Sequence, residues 1–288
     1  MKYLSALIAI LLLVTASGCS RKKYPPRDTR SDIIRYSGID RAWALSEGKG
    51  ATVAVVDWQF DMHSETAGMF VHASSVVPDE TIGAMKPWHG GWMADLVHQV
   101  APKTAIIPIN ARSLKHRGYQ DFLIQGIKYA ADHGAAAVSS SMGPVRQTPE
   151  LQAAIDYAEQ RGTIFVDVHP EGIAEAGQKA RPCAAGECDA RIVHTGIVSA
   201  PAHPLKPEAA RDVYTWPYDL DSNFQDGWGF SNAPPVVAGV IALMKSANPS
   251  LAPQQIRDLI ARTGSERDGF KVLDAQAAVK VAAALGGH

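Results

Sequence analysis

The chain has 288 residues, 46% of them hydrophobic and 20% charged, with a formal net charge of −1. That length suits one large globular domain or two small ones. The balanced charge gives no electrostatic footprint for nucleic acid or for an acidic partner, and no internal repeat or low-complexity tract is present.

The N-terminus reads as a targeting segment. Lys2 supplies a positive n-region, and residues 4–14 form an apolar stretch too short to span a bilayer comfortably. Ala16-Ser17-Gly18-Cys19 follows. Small residues before a cysteine at this point resemble the lipobox of bacterial lipoproteins. The resemblance implies a signal peptide over residues 1–18, cleavage before Cys19, and lipid on the thiol and amine of Cys19. Several acyl chains together anchor stably where one does not. An ordinary secretory signal with a chance cysteine is the alternative. Residues 19–34 then read as a tether, basic at Arg21, Lys22 and Lys23 and stiffened by Pro25-Pro26.

Beyond the tether, short apolar runs alternate with helical segments. Residues 52–56 form a buried strand ending at Asp57, and residues 91–100 a helix. Residues 104–109 are a strand, and 119–133 a helix with its apolar face at Phe122, Leu123, Ile127 and Ala130. Residues 135–138 are a strand running on to Met142, and 149–160 a helix. Residues 163–168 and 192–198 are two further strands. Continuous apolar strands separated by helices predict a parallel sheet covered on both faces. The expected fold class is α/β, doubly wound, in a single domain over residues 35–288. In such sheets active groups collect beyond the carboxyl ends of the strands. Asp57, the Ser141-Met142-Gly143 segment and His169 all stand at such ends. Farther on, Cys183-Ala-Ala-Gly-Glu-Cys188 is an even cysteine pair in an exported chain, which predicts a disulfide. A metal site is the weaker alternative, because no second Cys or His pair stands at ligand spacing.

Three residues carry the candidate chemistry. Ser231 lies in Gly229-Phe230-Ser231-Asn232-Ala233-Pro234-Pro235, just before an apolar run from Val236 to Met244. Prolines suit the first turn of a helix, so Ser231 is expected where a buried helix begins, near its free N–H groups. Taken alone, such a serine reads as an N-cap. Asp57 ends an apolar strand and needs a partner there; alone it reads as a turn aspartate. His89 opens an apolar helix after a tryptophan and before two glycines; alone it reads as a packed histidine. Together they supply the nucleophile, general base and orienting carboxylate of serine hydrolysis.

These segments resemble the subtilisin-like serine protease family. Ala54-Val55-Val56-Asp57 is similar to that family's Asp box. His89-Gly90-Gly91-Trp92-Met93-Ala94 is similar to its His box, usually HGTHVA, and residues 229–239 to its Ser box, usually GTSMA(S/T)PHVAG. The order Asp, His, Ser is the family's order, and the 32-residue spacing from Asp57 to His89 is ordinary for it. Residues 39–45, 137–143, 246–253 and 256–259 resemble further segments of the family. The resemblance implies a serine endopeptidase acting on a peptide or protein substrate, with Ser231 as nucleophile, His89 as base then acid, and Asp57 orienting it. A base-role Glu, as in sedolisins, is disfavoured by His89. Ser141, Met142 and Gly143 would pair with the substrate backbone as an added strand.

The pattern is also broken in places. Trp58-Gln59 stands where Ser/Thr-Gly is usual, and Trp92 replaces the second His-box histidine. Pro170 falls where the oxyanion-hole Asn is expected. Proline has no donor, so the neighbouring His169 becomes the oxyanion candidate, a loop histidine being the alternative. Losing one such donor costs roughly 10²–10³ in kcat, which slows an enzyme without abolishing it. A subtilisin-like, peptide-binding lipoprotein with impaired catalysis is therefore the alternative function. No folded prodomain is expected from the short segment before the domain, and no cofactor or metal is called for. The lipobox places the protein in the cell envelope. Ser20 after the cysteine favours the outer membrane, facing the periplasm, if the source is Gram-negative.

Overall fold

Six-residue runs of Val, Ile and Ala build the middle of the sheet: β1 (Thr52–Asp57) and β3 (Ala105–Asn110), each buried in all but its first residue. The computed structural model describes residues 34–142, 145–168, 189–197, 213–215, 230–267 and 270–286. Across these, the strands β2 (Ser74–Ser75), β4 (Ala137–Ser140), β5 (Ile164–Val168), β6 (Val193–Ile197), β7 (Val213–Thr215), β8 (Ser265–Arg267) and β9 (Phe270–Val272) complete one sheet. The strand order is β2-β3-β1-β4-β5-β6-β7-β9-β8. Neighbouring strands run parallel except β8 and β9, which pair antiparallel. The chain passes from β3 on one side of β1 to β4 on the other. Such a reversal opens a crevice at the carboxyl ends of the strands, where open α/β sheets place their sites.

Helices cover both faces, as the continuous apolar strands predict. On one face lie α1 (His89–Val100), α4 (Ala233–Ala247), α5 (Pro253–Thr263) and α6 (Ala275–Gly286), packed on Val53, Val55, Ile164 and Val166. On the other lie α2 (Tyr119–Asp132) and α3 (Pro149–Glu159), packed on Ala54, Val56, Val138 and Phe165. Alternate residues of one strand feed opposite cores, the two-residue period of a pleated strand. The doubly wound α/β class in one domain therefore holds.

The apolar run after Ser231 becomes the central helix. Residues 233–244 of α4 are all buried. α4 lies unusually close to α1: a Cβ built on Gly239 would stand 2.7 Å from Val100 Cγ1 and 2.8 Å from its Cβ. Glycine is what permits the two backbones to approach so closely.

Several boundaries differ from expectation, each for a local reason. The helix expected from residue 91 begins at His89. Its first turn is stitched to the chain after β1, with the Trp88 N–H donating to Gln59 O (2.8 Å) and the Gly90 N–H to Trp58 O (2.7 Å). The strand expected to run to Met142 ends at Ser140, because Ser141 turns to bond Ser231. The short strands β2, β7, β8 and β9 carry too few residues to show a pattern in the sequence.

Candidate active site

Asp57 is the last residue of β1 and is fully buried. Its Oδ1 accepts a hydrogen bond from the Trp58 amide at 2.7 Å and lies 2.8 Å from His89 Nδ1. A carboxylate only accepts, so Nδ1 carries the proton in this contact and Nε2 is left with a lone pair. Asp57 Oδ2 has no hydrogen-bond partner among the described residues.

Local chain chemistry places His89 here. A Cβ on Gly90 would sit 2.8 Å from Trp58 O, so the His-box glycine is required by the close approach of two backbones. Gln59 occupies the left-handed region at φ 60°. This is the position where the family usually carries glycine, and the turn geometry is kept although the residue differs. Trp88 stands against the imidazole, and the two tryptophans that break the family pattern, Trp58 and Trp92, pack on Trp88. Trp58 meets Trp88 edge to face at 5.4 Å between centroids, and Trp88 meets His89 at 5.8 Å and Trp92 at 6.5 Å. The Arg112 guanidinium lies 5.4 Å from the Trp58 ring centroid.

Burial pulls the His89 pKa down. The charge of Asp57 and the hydrogen bond to it outweigh that pull, Arg112 opposes them, and the net position is above the ordinary histidine value of 6.5. The imidazolium is thus stabilised where a general base must hold a proton.

Ser231 sits in a single 3₁₀ turn, Phe230–Asn232, directly before α4. It is not the helix cap. Asn232 takes that position, without a capping side-chain bond, and Ser231 stands one residue before it, where the helix begins. Pro234 and Pro235 lie in the first turn of α4, as expected. The Ser231 hydroxyl donates to Ser141 O at 3.3 Å, and the Ser141 hydroxyl donates to Ser231 O at 2.7 Å. Among the described residues the serine bonds Ser141 and not His89. α1 nevertheless abuts the 3₁₀ turn that holds Ser231 and packs along α4. Hydrogen bonds of this kind are commonly loose until substrate closes the site.

The structure therefore brings Asp57 to His89, and Ser231 to Ser141. Met142 follows at the strand end, half-buried. Gly143, His169, Pro170, Cys19, Cys183 and Cys188 lie outside the described residues. Among the described residues no group of three or more His, Cys, Asp or Glu is arranged to hold a metal ion. The sequence reading did not single out Asp167, which is fully buried near the end of β5. Its signal was available: an acid inside an apolar strand, the same feature that marked Asp57.

Comparison with known proteins agrees with this geometry. The model of the Subtilase family matches residues 48–167 and 187–278. Thermitase of Thermoactinomyces vulgaris is 28% identical over 158 residues, half of this chain and 57% of that protein. The M-protease of Shouchella clausii (strain KSM-K16) is 25% identical, over 76% of this chain and 60% of its own length. The chain thus spans less than two thirds of these two relatives. Subtilisin BL of Lederbergia lenta is 25% identical, over 76% of this chain and 84% of its own. Among solved structures, MycP1 from Mycobacterium smegmatis superposes with a TM-score of 0.66 at 20% identity, covering 86% of this chain and 83% of its own, a likeness of fold. With the family model spanning most of the folded region, the chain belongs to the subtilase family.

Proposed function

We propose that this protein is a serine endopeptidase of the cell envelope. The observation that carries the reading is the His89 Nδ1 contact with the buried Asp57 at 2.8 Å, at the start of a helix that abuts the Ser231 turn. His89 Nε2 would take the Ser231 proton as the serine oxygen attacks the scissile carbonyl, and Asp57 would stabilise the imidazolium so formed. The proton then goes to the leaving amine, and water repeats the sequence on the acyl-enzyme. The Ser231 amide, at the positive end of α4, would be one donor to the oxyanion, with His169 supplying the other. Ser141 and Met142 would bind the substrate backbone as an added strand. A fluorophosphonate should label Ser231 in the purified protein, and Ser231→Ala should abolish both labelling and peptide hydrolysis. A folded protein that binds peptide but neither labels nor cleaves would instead be the impaired binding protein.

Anchoring is a separate part of the proposal. It rests on the lipobox at residues 16–19. Among the described residues no helix is long and apolar enough to cross a membrane. Fatty-acid labelling of the wild type, lost in Cys19→Ser, tests it.

A further inference from the structure

Asp167 is a second fully buried carboxyl in the sheet, and the chemistry above makes no use of it. It pairs in register with Ser140 of β4 on one side and with His194 of β6 on the other. Partners in register point to the same face of a sheet. Two residues before each stand Val138, Phe165 and Ile192, all in the core under α2 and α3. Ser140, Asp167 and His194 therefore form a row on that face, with exposures of 0%, 0% and 5%. From α2, the Tyr119 hydroxyl joins the row 3.1 Å from Ser140 Oγ. Among the described residues neither Asp167 carboxyl oxygen has a partner in good hydrogen-bond geometry, although the Ser140 hydroxyl and the Val168 and Val145 amides face it.

The row lies directly under the site. The residue after Ser140 is Ser141, which exchanges two hydrogen bonds with Ser231. Val145 follows the segment expected to pair with substrate, and Val168 closes β5. Through these neighbours Asp167 touches the ends of both strands beside the nucleophile.

We infer that the Asp167 carboxyl, set between Ser140 and His194, is a positioning residue for hydrolysis that fixes the Ser141 edge on which Ser231 and the substrate backbone rest. The inference rests on Ser231 being the nucleophile. Burial pushes Asp167 well above the usual carboxylate range, and the facing hydroxyl and amides pull it back only in part. Among the described residues the titratable groups facing it are Tyr119 from α2 and His194 from β6. Burial, then the Asp167 charge, pushes the Tyr119 phenol well above its ordinary value, with Asp57 adding to the rise and Ser140 and Arg112 opposing it. The carboxyl thus holds the two strand ends as an uncharged acid, and placing a charge in this row would spread them.

The test is the pH profile of peptide hydrolysis by the full chain, its Asp167→Ala and Asp167→Asn variants and Tyr119→Phe. Wild-type kcat/KM should rise as His89 loses its proton and fall again at higher pH as Asp167 ionises. Asp167→Ala should lose roughly a hundredfold, the scale of a one-ångström misplacement. Asp167→Asn, isosteric and uncharged, should recover most of that loss and lack the alkaline fall. The infrared band of a protonated buried carboxyl, recorded in Ser231→Ala, should vanish in Ser231→Ala/Asp167→Asn. An alkaline fall that persists in Asp167→Asn, or that goes only with Tyr119→Phe, overturns the role of Asp167, as does absence of the band. Asp167→Asn as impaired as Asp167→Ala overturns it too. Absence of any Ser231-dependent turnover in the wild type instead overturns the hydrolase reading, and the positioning role with it, whatever the band shows.

Discussion

Replacing Asp57 by Asn separates two contributions that are usually lost together, because of how the donors converge here. An Asn that turned its amide nitrogen toward His89 would force the wrong tautomer and cost about 10⁴ in kcat. In this chain the Trp58 amide and His89 Nδ1 both point at the same atom, Oδ1, at 2.7 and 2.8 Å. Trp58 N–H needs an acceptor there, so the Asn oxygen should stay at Oδ1 and its nitrogen take the place of Oδ2, which has no hydrogen bond to lose. The tautomer survives and only the charge is removed. Two unit charges about 4 Å apart at an effective dielectric of about 20 interact by about 4 kcal/mol. At about 1.4 kcal/mol per decade that is roughly a thousandfold in rate. Asp57→Ala removes the acceptor as well and should fall by 10⁴ or so. The assay is kcat/KM for a peptide, measured across pH so that plateaus are compared. Wild-type activity should fall with acid as His89, held above 6.5, takes a proton; without the Asp57 charge that limb should move to lower pH. Equal losses in Asp57→Asn and Asp57→Ala would refute the argument from converging donors. Full activity in Asp57→Asn would refute the role of Asp57 itself.

Three further predictions address the scaffold. Gln59 holds φ 60°, which costs a side chain about 1–2 kcal/mol, against the roughly 0.5–1 kcal/mol of flexibility that glycine adds. Gln59→Gly should therefore raise stability in urea by up to about 1 kcal/mol and leave hydrolysis intact; a destabilised variant would mean the side chain does more than fill a turn. Gly239→Ala should cost about 1–3 kcal/mol by overpacking against Val100, and Val100→Ala should relieve part of it, with a double-mutant coupling of about 0.5–3 kcal/mol. Because α1 and α4 carry His89 and lead from Ser231, kcat should fall more in Gly239→Ala than stability alone explains. Finally, the folded-state pKa of Asp167 is raised, so its contribution to stability is complete below the unfolded carboxyl value and is lost as pH rises through the folded one. Urea unfolding of the wild type against Asp167→Asn should show the wild type losing ground between about pH 4 and that folded value, by at most about 1.4 kcal/mol per pH unit; parallel curves would refute it.

The layers of the fold were legible because burial on both faces leaves long apolar runs. β1, β3 and β5 could be read within a residue, and α2 from its spaced Phe122, Leu123, Ile127 and Ala130. The Asp57–His89 pairing was implied by the resemblance of their segments to the family's Asp and His boxes, each residue alone reading as a structural one. The true start of α1 at His89 was hidden, because it is fixed by backbone bonds to Trp58 and Gln59, residues some thirty positions earlier. The bonding of Ser231 to Ser141 was hidden for the same reason: it crosses ninety positions and uses carbonyls, which every residue has. Trp58 and Gln59 looked like losses from a pattern. In the fold Trp58 packs edge to face on Trp88, which stands against the imidazole, and Gln59 keeps the left-handed turn.

The two buried aspartates show how one residue type takes two roles from position alone. Asp57 follows Val53 and Val55, whose side chains enter the α1 and α4 core, so it faces His89. Asp167 shares the parity of Phe165, which enters the opposite core, so it lies between Ser140 and His194, with two amides facing it. A group beside an imidazole that takes a proton during the reaction is useful as a charge. A buried group among hydroxyls, amides and an imidazole outside the reaction is useful as an acid that can both donate and accept. The strand between them, β4, has Ser139 and Ser140 on its two faces and is followed by Ser141, the residue that bonds Ser231. A slip of either aspartate by one residue would exchange the faces and dismantle both arrangements, so the two-residue period of the sheet determines the chemistry available at its edge.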